Sequence, residues 1–263
     1  MKLAIFGMFR SGTSYLWWTL LKDERFEHCY YEPLHPYLLD DRKEHKHYSM
    51  YNMLEDLEKY FNWNLAFDKY IMEPEEDNDR LKVYLSYLIR EDTLIKVNRM
   101  SFRISWFKKN FPDVKCAGII RDPRAFAYSH TRDGRVWDPI FFNFCLANNR
   151  FKEYLEPLRN DSVFVKLLAF WKLCAEEMLL NLPLITIENL NENTSLVISN
   201  LYNYVGYEVP TESTMNAMLA PDGYTAFWGD TLKRYDEVAK EVWEEAIEKT
   251  GISSLMSQFG YGD

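Results

Sequence analysis

Lys2-Leu3-Ala4-Ile5-Phe6-Gly7, Met8-Phe9-Arg10-Ser11-Gly12-Thr13-Ser14 and Tyr15-Leu16-Trp17-Trp18-Thr19-Leu20-Leu21 follow one another at the start of the chain. Residues 3–7 are an apolar run short enough for a buried strand. The next segment is a loop flanked by two glycines, and 13–22 reads as an apolar helix. In that order, the backbone N–H groups of the loop and the helix N-terminus converge on an anion, as in a phosphate cradle. Gly7-x4-Gly12 has the spacing of a triphosphate-binding loop, but Thr13 stands where that motif carries Lys. The cation is instead Arg10, inside the loop.

A chain of 263 residues is long enough for one large core, and a single domain over 1–263 is expected. Hydrophobic residues at 47% and charged residues at 27% suit a folded soluble protein. Aromatics at 16% fit either an aromatic-rich core or a pocket with aromatic walls. The net charge of −9 argues against partners such as nucleic acid or anionic membrane. The charge is uneven: from Lys96 to Arg135 ten basic residues meet three acidic ones, either an anion-binding region or, at Lys108 and Lys109, a solvated helix face. Cys29, Cys116, Cys145 and Cys174 form no C-x-x-C pair and read as reduced thiols. No leader or membrane-spanning stretch is evident, so a cytoplasmic location is expected.

Apolar runs at 3–7, 28–31, 93–97, 115–120 and 183–187 read as strands. Helical patterns at 13–22, 51–61, 79–90, 101–110, 123–132, 140–157, 162–181, 194–205 and 236–249 separate them. The alternation predicts an α/β, P-loop-like three-layer fold, with a five-stranded parallel sheet and helices on both faces. Ligands of such sheets sit beyond the carboxyl ends of the strands, where loops 7–13, 32–36, 98–100 and 121–123 gather. Within the variable region 40–92, the acidic, aromatic stretch 40–80 reads either as a lid or as a surface excursion.

A second motif follows the fourth run: Ile119-Ile120-Arg121-Asp122-Pro123-Arg124, then Ser129 about two turns into a helix that Pro123 suits at its first position. Arg presents a planar fork of donors to a phosphate, and Ser adds a neutral donor. The competing role for Arg121 is an ion pair with Asp122. Arg10-Ser11-Gly12-Thr13-Ser14 resembles the 5′-phosphosulfate loop of sulfotransferases that use 3′-phosphoadenosine 5′-phosphosulfate (PAPS). Arg121 and Ser129 resemble the 3′-phosphate motif of the same family. Two motifs in the family's order carry the resemblance.

The resemblance extends further. Glu32-Pro33-Leu34-His35 looks like the Glu-Pro segment of the sugar-modifying branch. Ala169-Phe170-Trp171-Lys172 through Glu188-Asn189-Leu190 is similar to the later helix–strand unit, with Ile187 where the family commonly has Tyr. Phe227-Trp228-Gly229 and Phe259-Gly260-Tyr261 resemble the closing segments. The resemblance implies transfer of a sulfuryl group from PAPS to a hydroxyl or amine of a small-molecule or carbohydrate acceptor, releasing PAP without a metal. It implies that Arg10, Ser11, Gly12, Thr13, Ser14, Arg121 and Ser129 bind the nucleotide. Tyr15 stands where many members pack an aromatic on adenine, and a core role fits it equally.

Cytosolic members take their base from a Lys-x-His motif after the third strand. Here the segment reads Lys96-Val97-Asn98, so Lys96 is kept and Asn98 cannot accept a proton at neutral pH. The resemblance then points to Glu32 as catalytic base, beside Arg10 and Lys96, with His35 in reserve. Burial at a strand end would raise the Glu32 pKa towards neutrality, and an ion pair with a site cation is the other role for it. An ATP-dependent phosphotransferase is the alternative activity. Thr13 and the lack of a strand-end magnesium carboxylate, Asp122 apart, argue against it.

Overall fold

The computed structural model describes residues 1–35, 61, 64–67, 77–132, 140–220 and 234–262. The strands are β1 (Lys2–Gly7), β2 (His28–Tyr31), β3 (Thr93–Lys96), β4 (Lys115–Ile120) and β5 (Leu184–Thr186), in the order β2-β3-β1-β4-β5. Every neighbouring pair is parallel. All five expected strands form, each within about a residue of its expected bounds.

The helices are α1 (Thr13–Leu21), the single turn α2 (Asn64–Phe67), α3 (Asp79–Leu88), α4 (Ile104–Asn110), α5 (Pro123–Thr131), α6 (Ile140–Ala147), α7 (Asn149–Leu155) and α8 (Val163–Asn181). The later ones are α9 (Ile187–Glu192), α10 (Thr194–Val205), α11 (Glu212–Leu219), α12 (Lys240–Thr250) and α13 (Ser253–Gln258). Side chains of β1 alternate between two cores, as period-two geometry requires. Leu3 and Ile5 pack with Leu16, Trp17 and Leu20 of α1, Ile198 and Leu201 of α10 and Met215 of α11. Ala4 and Phe6 face Tyr84 and Leu85 of α3, Phe107 of α4, Phe126 of α5 and Trp171 of α8. The sheet is therefore the middle of three layers, the P-loop-like α/β arrangement that the alternation predicts.

The connection leaving β1 crosses to the edge strand β2, whereas those leaving β3 and β4 run the other way. That reversal at β1 opens a crevice at the carboxyl ends of the strands. The basic stretch is divided by the same topology. Lys115 opens β4 at its amino end, and Lys108, near the end of α4, bonds the Asn181 carbonyl at 2.9 Å. Arg99, Arg121 and Arg124 follow strand ends on the crevice side, whereas Arg132 follows the C-terminus of α5. The +7 stretch is thus not a single patch.

Several boundaries differ from expectation, among them the helix over 236–249, which begins only at Lys240 after a 3-10 turn at Arg234–Glu237. The helix over 140–157 breaks at Asn148, whose side chain accepts from Arg150 N at 2.8 Å and starts a new helix. The helix over 101–110 begins only at Ile104, after a 3-10 turn at Asn98–Met100. Helix α9 follows β5 without a loop, because Thr186 both ends the strand and caps the helix. The expected helix over 51–61, Phe61 apart, and most of the 40–80 stretch lie outside the described residues. Within 40–92, α3 buries Leu81, Tyr84, Leu85 and Leu88, so that part is core.

Candidate functional site

The cradle forms where β1 runs into α1 at close quarters. A Cβ on Gly7 would lie 2.5 Å from Thr13 Cγ2 and 2.8 Å from the Ile119 carbonyl. Gly12 has φ of +92°, and a Cβ there would meet Ile187 Cδ1 at 2.5 Å. Between them Arg10 takes a left-handed φ of 66°, while Ser11 N and Oγ both donate to the Met8 carbonyl, at 3.3 and 2.6 Å. Gly12 offers no side chain to cap α1, and the first turn carries no acidic residue. The donors and positive dipole end of α1 are left to an anion.

The neighbouring strand end supplies a second cation. Arg121 is buried after β4, and its Nη1 donates to the Arg10 carbonyl at 3.1 Å. Trp171 Nε1 donates to the Arg121 carbonyl at 2.9 Å. Glu188 accepts from Asp122 N at 3.1 Å and from the Tyr261 hydroxyl at 2.8 Å. Asp122 caps α5 and pairs with Arg124 at 2.7 Å, so Arg124 holds that carboxylate. Burial, only partly offset by Glu188 and aggravated by Arg10, lowers the Arg121 pKa to about 10. An anion placed there would relieve that cost. Ser129 is buried in α5 and donates to the Phe126 carbonyl of its own helix at 2.7 Å.

A third group lies at the ends of β2 and β3. Glu32 has φ of 49°, its N–H extends the ladder to the Lys96 carbonyl, and its own carbonyl accepts from His35 N. Its Oε1 is 2.6 Å from Lys96 Nζ and 3.3 Å from Asn98 Nδ2. Asn98 Nδ2 also reaches Thr13 Oγ1 at 3.1 Å, and Lys96 Nζ reaches Ser14 Oγ at 3.2 Å. Tyr31 lies under the ammonium, 3.8 Å from ring centroid to Nζ, with its hydroxyl 2.6 Å from Ser14 Oγ. Glu32, Lys96 and the 13–14 segment therefore meet in one cluster.

The charge state of Glu32 differs from expectation. Burial alone would push its carboxyl up, but the charge and hydrogen bond of Lys96, with His35 and Arg99 behind, hold it below the usual carboxylate range. Tyr15 is half-buried beside the α1 core, its hydroxyl 3.4 Å from Thr194 Oγ1.

In the sequence His130 reads only as a histidine without metal-ligand spacing. It is buried against Phe126, with ring centroids 4.7 Å apart. Burial, then Arg10 and Arg121, lower its pKa to about 3 against a hydrogen bond to the Phe9 backbone. Position −1 to Thr131 in a helix carries no sequence signal of that contact. On the far side of the loop, Phe9 stacks on Phe141 at 4.9 Å and Phe141 on Phe170 at 5.8 Å, with the Arg99 guanidinium 5.1 Å from the Phe9 centroid. An aromatic wall thus flanks Arg10. Among the described residues, no helix is long and apolar enough to cross a membrane.

No family model and no curated relative matches the chain. Two solved structures are similar in outline. One is the sulfotransferase domain from the curacin biosynthetic pathway, 13% identical with a TM-score of 0.44, covering 84% of this chain and 78% of that one. The other is the sulfotransferase domain from the Synechococcus PCC 7002 olefin synthase, 11% identical with a TM-score of 0.43, covering 95% and 93%. Likenesses this distant do not bear on activity, which is read from the chain's own residues.

Proposed function

We propose that the chain is a sulfotransferase that moves the sulfuryl group of PAPS to a hydroxyl or amine of a small-molecule or carbohydrate acceptor. The observation that carries this reading is the hydrogen bond from Arg121 to Arg10. It joins a phosphate cradle and a second buried cation across one crevice. A nucleotide with phosphates at both its 5′ and 3′ ends matches two such sites, whereas ATP has nothing for the second. The Asp122 carboxylate, held by Arg124, supports the same preference.

In this reading Arg10, the α1 N-terminus, Ser11, Gly12, Thr13 and Ser14 hold the 5′-phosphosulfate, and Arg121 and Ser129 the 3′-phosphate. Lys96 stabilises charge on the transferring sulfuryl group, and Arg10 on that group and on the leaving phosphate oxygen. Glu32 takes the acceptor proton. The acceptor oxygen or nitrogen bonds to sulfur as the sulfur–oxygen bond to the 5′-phosphate breaks, and its electron pair leaves with PAP. Calorimetry with PAP and with ATP–magnesium tests the nucleotide, and labelled PAPS against an acceptor panel tests the transfer. Tighter binding of ATP–magnesium than of PAP would favour a phosphotransferase.

A further inference from the structure

We propose that Lys96 is a counter-ion shared between Glu32 and the sulfuryl donor. It neutralises Glu32 until the donor arrives beside Ser14, and its move to the donor frees Glu32 as the base. This rests on the PAPS reading above.

The geometry supplies both positions. The Lys96 side chain is buried, with Nζ 2.6 Å from Glu32 Oε1 on one side and 3.2 Å from Ser14 Oγ on the other. The Tyr31 ring at 3.8 Å gives the ammonium a polarisable floor during a short move between them. Asn98 stays behind as the neutral ligand of the carboxylate. Because a carboxylate only accepts, Glu32 fixes Asn98 with Nδ2 towards Oε1 and Thr13 Oγ1. The buried Asn98 Oδ1 then has no hydrogen-bond partner among the described residues. That cost is tolerated at the place where the amide orients Glu32 and the cradle together.

The charges facing Glu32 are Lys96 from β3, Arg99 from the turn after it and His35 from its own loop. With Lys96 drawn to the donor, burial becomes the dominant influence and lifts the carboxyl towards neutrality. Proton removal from the acceptor is thereby confined to the donor-loaded protein. The proton goes to Glu32, and the sulfur–oxygen pair departs with PAP as before.

The experiment counts protons. Calorimetric binding of PAPS and of PAP at about pH 5.5, in two buffers of different ionisation heat, gives protons taken up per ligand bound. Subtracting the value for Glu32→Gln with the same ligand cancels the ligand's own phosphate titration. The expected difference is about half a proton or more for PAPS and near zero for PAP. Lys96→Met abolishes it. Wild-type affinity for adenosine 5′-phosphosulfate, which has no group titrating between about pH 5 and 7, is expected to rise as pH falls across that range. An equal difference for PAP and PAPS, no difference for PAPS, or a flat adenosine 5′-phosphosulfate profile overturns the shared counter-ion. Failure of PAPS to bind at all overturns the underlying function as well.

Discussion

Arg121 Nη1 donates to the backbone carbonyl of Arg10 at 3.1 Å, so the cation that ends β4 is tied to the loop that follows β1. Arg10 takes its left-handed turn at that carbonyl. One hydrogen bond thus ties the buried Arg121 guanidinium to the backbone of the cradle loop, before any ligand is considered.

Arg121→Ala is expected to weaken PAP binding by about ten- to a hundredfold, the equivalent of roughly 1.5–3 kcal/mol for a charge-assisted contact. Adenosine 5′-phosphosulfate lacks the 3′-phosphate and should lose much less. Titration calorimetry with both ligands separates the roles. Equal losses would mean that Arg121 acts only by shaping the Arg10 loop.

Gly12→Ala tests the cradle's steric basis. The new methyl meets Ile187 Cδ1 at 2.5 Å in a backbone at φ +92°, two independent penalties. Together they should cost roughly 2–4 kcal/mol. In a double-mutant cycle by urea unfolding, Ile187→Ala should relieve the clash and leave the backbone strain. The expected signature is a coupling of at least about 1 kcal/mol with incomplete recovery. Additive losses would place Ile187 away from the cradle.

His130 predicts an acid-sensitive fold. Its folded pKa is lowered to about 3 from an ordinary 6.5. Between those values the unfolded chain binds a proton that the folded chain does not, so stability falls as pH falls through the window. From pH 6.5 to 5 the loss from this group approaches about 2 kcal/mol. Urea midpoints at pH 7 and pH 5 should therefore converge in His130→Gln relative to wild type. The comparison with wild type matters because the Glu188 carboxyl, raised by burial, contributes in the opposite direction. An unchanged pH difference in the variant would show that His130 does not stay neutral.

These tests divide between what local sequence encodes and what only the fold creates. The five strands are legible because each is a short apolar run closed by a turn, and the cradle because its glycines and Arg10 are contiguous. Arg121 is legible through Pro123, which fixes the strand-to-helix turn beside it. The Glu32–Lys96 pair is not, since 64 residues separate its members and only the β2–β3 register brings them together. The sequence offers both burial and an ion pair with a site cation for Glu32, but only the fold shows that Lys96 is the partner and that its ammonium outweighs burial. The break at Asn148 was obscured for another reason: the apolar period continues from α6 into α7, and the cap works through a single side-chain oxygen.

Glu32→Gln is the decisive variant for catalysis. The substitution keeps the shape of the side chain and an oxygen able to accept from Lys96 at the Oε1 position, 2.6 Å from its Nζ. It removes the capacity to take a proton. PAP binding should change little, because PAP's phosphates are assigned to the cradle and to Arg121. Turnover with PAPS should fall by roughly 10²–10⁴-fold, the range for loss of a general base. The pH profile adds a second readout: an acid limb of the wild-type rate that reflects Glu32 disappears in the variant, while a limb set by another group persists. His35→Ala serves as the comparison. His35 N–H donates to the Glu32 carbonyl at 2.9 Å, a backbone bond that both substitutions keep, so the two variants compare side chains on the same turn. Normal turnover in Glu32→Gln with a dead His35→Ala would move the base to His35. Normal turnover in both would point to an acceptor acidic enough to react as its own anion, a phenol rather than a sugar alcohol.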